Sequence, residues 1–191
     1  AADILIHKAT HVPVGADQAQ HLEFARECVT NFNSIFSPIL VKPETLVSPS
    51  ARVMSLANPS EKMSKSSGTE NSRILITDNH AEIRKKIMNA VTDHQNRVSW
   101  DPETRPGVAN LLSIFSAFDK LGRTPQQLAD DMCDLSLGDL KKLLIPKLNE
   151  GLQPIRERYN ELMARQDYLS KVAIQGLDKA YSTGLPNLKL I

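Results

Sequence analysis

The stretch that most constrains this chain is His11-Val12-Pro13-Val14-Gly15, followed from Asp17 by apolar residues at Leu22, Ala25, Cys28, Val29 and Phe32. The first five residues predict a short buried strand that ends at a glycine turn. The spacing of the next five is that of one helix face. Strand, glycine turn and helix together make a βα unit of an open parallel sheet, and such sheets bind ligands beyond the carboxyl ends of their strands. Pro13 lacks a backbone donor, so it must sit at the strand end or turn its nitrogen toward no partner. Residues 1–8 predict the end of a preceding helix.

Residues 33–60 are rich in proline, serine and asparagine, with a short apolar strand predicted at Arg52–Leu56. From 57 to 73 the only large apolar side chain is Met63, which predicts an exposed, mobile loop. Ile74-Leu75-Ile76 predicts another strand. The pattern then changes. Asp78 or Asn79 can cap a helix that carries Ile83, Ile87, Ala90 and Val91. Gly107 precedes a second helix with Val108, Leu111, Leu112, Phe115 and Phe118. Thr124-Pro125-Gln126-Gln127 combines an N-cap, proline at the first helical position and a capping-box glutamine. Further helices are expected over roughly 137–153, 154–166 and 168–182, with Pro146 kinking the first unless a boundary lies there. The helix over 154–166 shows Ile155, Tyr159, Leu162 and Met163 on one face. The expected fold is α/β over residues 1–76 and all-helical over 77–191.

Composition narrows the function classes. With 23 basic and 22 acidic side chains the net charge is +1, so any contact with nucleic acid must come from a local patch or from shape. Aromatic residues are 5%, which argues against a base-stacking surface. Cys28 and Cys133 are the only cysteines and make neither a disulfide framework nor a zinc site. His7 and His11 stand four apart, but without a metalloprotease glutamate and with Pro13 close behind they read as surface histidines. No run is long enough to span a membrane. Ala1-Ala2-Asp3-Ile4-Leu5-Ile6 already reads as helix interior with no capping residue, which suggests a piece of a longer chain.

The chemistry concentrates in Lys62-Met63-Ser64-Lys65-Ser66. Two lysines three apart, with hydroxyls between them and Gly68 nearby, can wrap a polyphosphate. Ammonium groups neutralise its charge while hydroxyls and backbone N–H groups donate hydrogen bonds. Nucleotidyl transfer gains from such charge because the transition state loads the pyrophosphate oxygens. On its own, a Ser/Lys loop of this composition is as often just a solvated segment.

This pentapeptide resembles the KMSKS signature of the class I aminoacyl-tRNA synthetases. The resemblance implies that Lys62 and Lys65 stabilise the departing pyrophosphate. It makes Ser64 and Ser66 phosphate donors and sets Met63 beside the adenosine. A second set of residues selects the branch. Ala2-Asp3-Ile4-Leu5, then Val12-Pro13-Val14-Gly15-Ala16-Asp17-Gln18, then His21 and Glu23, resemble the tryptophanyl-tRNA synthetases of the bacterial and organellar type. That likeness implies that Asp3 accepts a hydrogen bond from the indole N–H, that Val12 and Val14 line the indole pocket, and that Gln18 binds the amino group. Gly15, Ala16 and Asp17 would face the ribose and phosphates of ATP, and Val53 would read adenine through its backbone. Val91-Thr92-Asp93 and Arg105 through Leu111 match further landmarks of the family.

Two departures stand out. Ala16 replaces the glutamate usual in the family, which leaves only a backbone contact there. Ser67-Gly68-Thr69 replaces an Asp-Pro, which should loosen the loop. The resemblance implies ATP-dependent activation of tryptophan, with Mg2+ accompanying ATP, and transfer to tRNA(Trp). It implies a second half of a Rossmann-like nucleotide-binding fold, then a helical anticodon-binding domain whose last helices pack back on the catalytic domain. A homodimer is implied for the complete enzyme. The family's HIGH-like sequence does not occur in the 191 residues, so the chain alone is expected to lack adenylation activity. Two other readings stay open: a tyrosyl-tRNA synthetase, which shares the lysine loop, and a non-catalytic RNA-binding helical module. A mitochondrial matrix and a bacterial cytoplasm both fit, and the pI of about 8.0 favours the matrix.

Overall fold

The computed structural model describes residues 1–15, 18–47, 52–64 and 69–191. Packing divides the chain into two units, residues 1–50 with 165–191, and residues 51–164. The change in composition at 76 is therefore not where the contacts divide. The segment before it carries Leu56 and Met63, which pack with the helical core of the second unit.

The first unit contains α1 (Ala2–Leu5), β1 (His11–Val14), α2 (Ala19–Ile35), β2 (Glu44–Val47) and α7 (Gln166–Leu188). β1 and β2 are parallel, with Val12 opposite Thr45 and Val14 opposite Val47. The predicted βα unit is thus the first part of a βαβ crossover, and β2 is a strand that the sequence pattern did not announce. The Thr10 carbonyl accepts the Glu44 N–H at 2.7 Å. In a parallel ladder that places the even-numbered peptide groups of β1 toward β2, so Pro13 turns its missing donor away from its partner. Helix α2 buries Leu22, Ala25 and Val29, the stripe expected from its period. Arg26 ties the helix to the entry of β2, donating to the Pro43 carbonyl at 2.8 Å and to Thr45 Oγ1 at 3.0 Å. Helix α7 meets the end of α1: Asn187 Nδ2 donates to the Ile6 carbonyl at 2.9 Å, and His7 Nδ1 lies 2.8 Å from Thr183 Oγ1.

The second unit holds α3 (His80–Met88), α4 (Pro106–Ala117), α5 (Pro125–Asp131) and α6 (Leu137–Met163) around one apolar core. Ile83, Ile87, Leu112, Leu140 and Leu144 are among its fully buried members. Each such side chain contributes roughly 1.5–3 kcal/mol of transfer free energy. The caps follow the sequence. Asn79 and Glu82 form a capping box at the start of α3, and Thr124 and Gln127 form another at α5.

Gly107 lies in the first turn of α4, where a Cβ would stand 2.3 Å from the Val91 carbonyl oxygen. Only glycine allows that approach. Lys141 Nζ is buried and donates to the carbonyls of Met88 at 3.2 Å and Ala90 at 2.8 Å, which satisfies the C-terminal end of α3. Burial pushes its pKa down.

Three sequence expectations give way. Residues 52–56 form no strand beyond a single bridge between Met54 and Lys62. Ile74-Leu75-Ile76 is not a strand but leads into a turn at Ile76 and Thr77, where Asp78 Oδ2 accepts the Leu75 N–H at 2.8 Å and takes the place of a strand partner. The same oxygen receives buried Lys86 Nζ at 2.5 Å. Residues 137–163 are one helix through Pro146 and Pro154 rather than two. Leu137, Leu140, Leu144 and Leu148 stay on one buried side across Pro146, and that packing outweighs the single ladder bond this proline removes.

Candidate functional site

The candidate residues fall into two groups, one in each unit. In the first unit, Asp3 is exposed on α1, a short helix that packs against α2. Val12 and Val14 are half-buried on one face of β1, while His11 and Pro13 are exposed on the other. That alternation is the strand period of two. Gly15 ends the strand, and its carbonyl accepts the Gln18 N–H at 2.9 Å. Gln18 is the N-cap residue of α2 and is exposed. The carboxyl end of a strand and the amino end of the next helix thus come together at Gly15–Gln18, the part of a βα unit suited to an anion. Ala16 and Asp17, between them, lie outside the described residues.

In the second unit, Val53, Lys62, Met63 and Ser64 lie on a small hairpin. Met54 and Lys62 face each other across an antiparallel bridge. The Met63 N–H donates to the Val53 carbonyl at 3.0 Å, and the Ser55 N–H to the Glu61 carbonyl at 2.8 Å. Val53 and Lys62 are exposed, Ser64 is half-buried, and the Met63 side chain packs against the helical core. Lys65 and Ser66 lie outside the described residues, as do Ser67 and Gly68.

The base of this segment is tied at both ends. The Leu56 N–H donates to the Ser72 carbonyl at 2.9 Å, and the Val91 N–H donates to the Leu56 carbonyl at 2.8 Å. Ser72 is itself buried, its hydroxyl donating to the Thr69 carbonyl at 2.6 Å. Lys62 therefore stands on a framed hairpin. The expectation of one open loop across 57–73 is too broad, since 53–64 and 69–72 are held by these bonds.

Asn110 supplies one more contact, which composition alone did not single out. From α4 its side-chain amide pairs with the backbone of Met54. The signals in the sequence are its place in the family landmark from Arg105 through Leu111 and a polar side chain at a core position among Val108, Leu111 and Leu112. Near it, Arg105 uses all five of its donors. Two reach the Asp93 carboxylate at 2.8 Å each, two reach the carbonyls of Gln95 and Arg97, and one reaches the Ser99 hydroxyl. The Arg105 guanidinium holds the Asp93 carboxyl below its usual range. Among the described residues no group of three His, Cys, Asp or Glu side chains could hold a metal ion, and no helix is long and apolar enough to cross a membrane.

Residues 1–153 match the model of the family described as tRNA synthetases class I (W and Y). The chain is 40% identical over 196 residues to a tryptophan–tRNA ligase of Thermosynechococcus vestitus, covering 100% of this chain and 59% of that protein. It is 37% identical over 181 residues to a mitochondrial tryptophan–tRNA ligase of Schizosaccharomyces pombe, covering 94% of this chain and 50% of that one. Among solved structures, a tryptophanyl-tRNA synthetase of Mycoplasma pneumoniae superposes with a TM-score of 0.82 at 30% identity, over 98% of this chain and 56% of that one. A Campylobacter jejuni tryptophanyl-tRNA synthetase solved with ADP and tryptophan gives a TM-score of 0.71 at 29% identity, over 98% of this chain and 57% of that chain. The chain thus spans between half and three-fifths of the length of these relatives.

Proposed function

Because the chain belongs to the class I tRNA synthetases for tryptophan and tyrosine, we propose that the complete protein is a tryptophan–tRNA ligase. The observation that carries this reading is the 40% identity to a tryptophan–tRNA ligase along the whole chain. It favours tryptophan over tyrosine, and an enzyme over a helical binding module.

The reaction has two steps. A carboxylate oxygen of tryptophan attacks the α-phosphorus of ATP, a new P–O bond forms, and pyrophosphate leaves with its electron pair. A terminal ribose hydroxyl of tRNA(Trp) then attacks the activated carbonyl and releases AMP. Mg2+ enters bound to the phosphates of ATP. The roles divide between the units. In the first unit Asp3 accepts the indole N–H, Val12 and Val14 line the ring, and Gln18 takes the amino group. Gly15, Ala16 and Asp17 offer backbone groups to ribose and phosphate. In the second, Val53 meets adenine through its backbone with Met63 beside the adenosine. Lys62 and Lys65 draw charge onto the pyrophosphate, with Ser64 and Ser66 donating to its oxygens. The helical segment that begins with α3 takes the anticodon end of the tRNA, with the last helices packing back on the catalytic domain, and the complete enzyme works as a homodimer. Relatives include both bacterial and mitochondrial enzymes, so a mitochondrial matrix and a bacterial cytoplasm both fit, and the pI of about 8.0 favours the matrix.

Asp3 gives the sharpest test of substrate choice. An acceptor matched to the indole N–H rejects rings that leave it unpaired, and a hydrogen bond to a charged group contributes about 1.5–3 kcal/mol. In the complete protein, Asp3→Ala should lower kcat/KM for tryptophan in ATP–pyrophosphate exchange by about 10- to 100-fold, with KM for ATP unchanged. Unaltered tryptophan kinetics would remove Asp3 from the site.

A further inference from the structure

Asn110 is 5% exposed, set in the apolar face of α4. An amide buried there is costly unless its oxygen and nitrogen both find partners. Both do so on one residue. Asn110 Oδ1 accepts the Met54 N–H at 3.0 Å, and Asn110 Nδ2 donates to the Met54 carbonyl at 2.8 Å, across 56 residues of sequence.

The hairpin geometry explains why Met54 offers both groups. The ladder bonds run from Ser55 to Glu61 and from Met63 to Val53, on either side of the bridge between Met54 and Lys62. Met54 and Lys62 are thus a non-hydrogen-bonded antiparallel pair. In such a pair the peptide groups of each residue point away from the other strand, and the two side chains come closest. The outer edge at Met54 is where a third strand would add, and the Asn110 amide takes its place there. A leucine at 110 would suit the core as well, but it would leave the Met54 N–H and carbonyl without partners.

We propose that Asn110 is a positioning residue for the lysine loop, fixing Lys62 by gripping the residue paired with it. The proposal rests on the reading that Lys62 acts on the phosphates of ATP. The ladder bonds on either side tie Met54 to Lys62, so a hairpin edge held to α4 sets where the Lys62 backbone stands. The first unit contains the same chemistry without the same consequence. Asn33 Oδ1 accepts the Leu40 N–H at 3.0 Å and its Nδ2 donates to the Leu40 carbonyl at 2.8 Å, in a connection that bears no candidate residue.

The test uses the complete protein and steady-state ATP–pyrophosphate exchange. Asn110→Asp is isosteric but loses the donor to the Met54 carbonyl. It should lower kcat tenfold or more while KM for tryptophan stays within twofold. Asn33→Asp, which removes the equivalent donor, should leave kcat within twofold. The proposal is overturned if Asn110→Asp keeps kcat within twofold of the parent, if its KM for tryptophan shifts as much as kcat, or if Asn33→Asp lowers kcat equally. If the aspartate variant does not fold, Asn110→Ser keeps one hydrogen-bonding group in a smaller volume and is judged by the same constants. Lys62→Ala, measured alongside, separates the two ideas. An unchanged kcat there defeats the phosphate reading. A reduced kcat there with an unaffected Asn110→Asp defeats this proposal alone.

Discussion

Lys62→Ala in the complete protein is expected to lower kcat for tryptophan-dependent ATP–pyrophosphate exchange by about a hundredfold, the low end for losing one preorganised donor at a developing charge. KM for tryptophan should stay within twofold. The expectation follows from where the lysine stands. Its side chain is exposed on the central pair of a hairpin framed by the bonds of Ser55, Leu56 and Met63. The frame consists of backbone bonds that the substitution leaves in place, so the loss should appear in the chemical step. The candidate tryptophan residues Asp3, Val12, Val14 and Gln18 belong to the other unit. A variant with unchanged kcat would mean that the hairpin presents its lysine to something other than pyrophosphate.

The largest expected effect on stability is that of Arg105→Ala. The arginine side chain is 5% exposed and its partner Asp93 is 22% exposed. Breaking a buried ion pair from one side costs about 3–5 kcal/mol, because the other charge stays behind. Partial exposure of Asp93 lowers that to about 2–4 kcal/mol at pH 7. Three further donors of Arg105 close the loop through Gln95, Arg97 and Ser99, so its loss also frees the connection between α3 and α4.

The pH dependence has a definite sign. Arg105 depresses the Asp93 pKa in the folded state. The stabilisation from that shift is complete above the unfolded carboxyl value of about 3.9 and is lost as pH falls through the depressed folded value. The gap between parent and Arg105→Ala should therefore be widest near neutrality and narrow below about pH 4. It should not close, since three of the five donors serve neutral oxygens. Denaturant unfolding at several pH values measures both quantities. A gap that widens on acidification would contradict the assignment. Asp119 adds to the same acid-labile stability, since Arg123 brings its pKa to about 2.

What could be read in advance was local. Asn79 with Glu82 and Thr124 with Gln127 announce helix starts because a cap needs only residues within one turn. The strand at His11–Val14 and the helix after it were legible for the same reason. Strand β2 was not, because Glu44-Thr45-Leu46-Val47 is short and mostly exposed, and its identity depends on pairing with β1. Ile74-Leu75-Ile76 has strand propensity, yet Asp78 takes the Leu75 amide and makes a turn. Pro146 signals a boundary locally, and a buried stripe that continues on both sides of it overrides that signal.

The candidate site divides in the same way. Lys62 through Ser66, and Asp3 with Val12 through Gln18, are recognisable as contiguous words. Asn110 has meaning only once the fold brings it to Met54, and no local pattern carries that contact.

The most direct measurement of the central claim is aminoacylation by the complete protein, comparing initial rates of charging tRNA(Trp) with tryptophan and tRNA(Tyr) with tyrosine. A tryptophan–tRNA ligase should favour its own amino acid in kcat/KM by about 10⁴-fold or more, the discrimination available to a site built around one ring hydrogen bond. Charging with tyrosine at a comparable kcat/KM, or no charging with tryptophan, would contradict it.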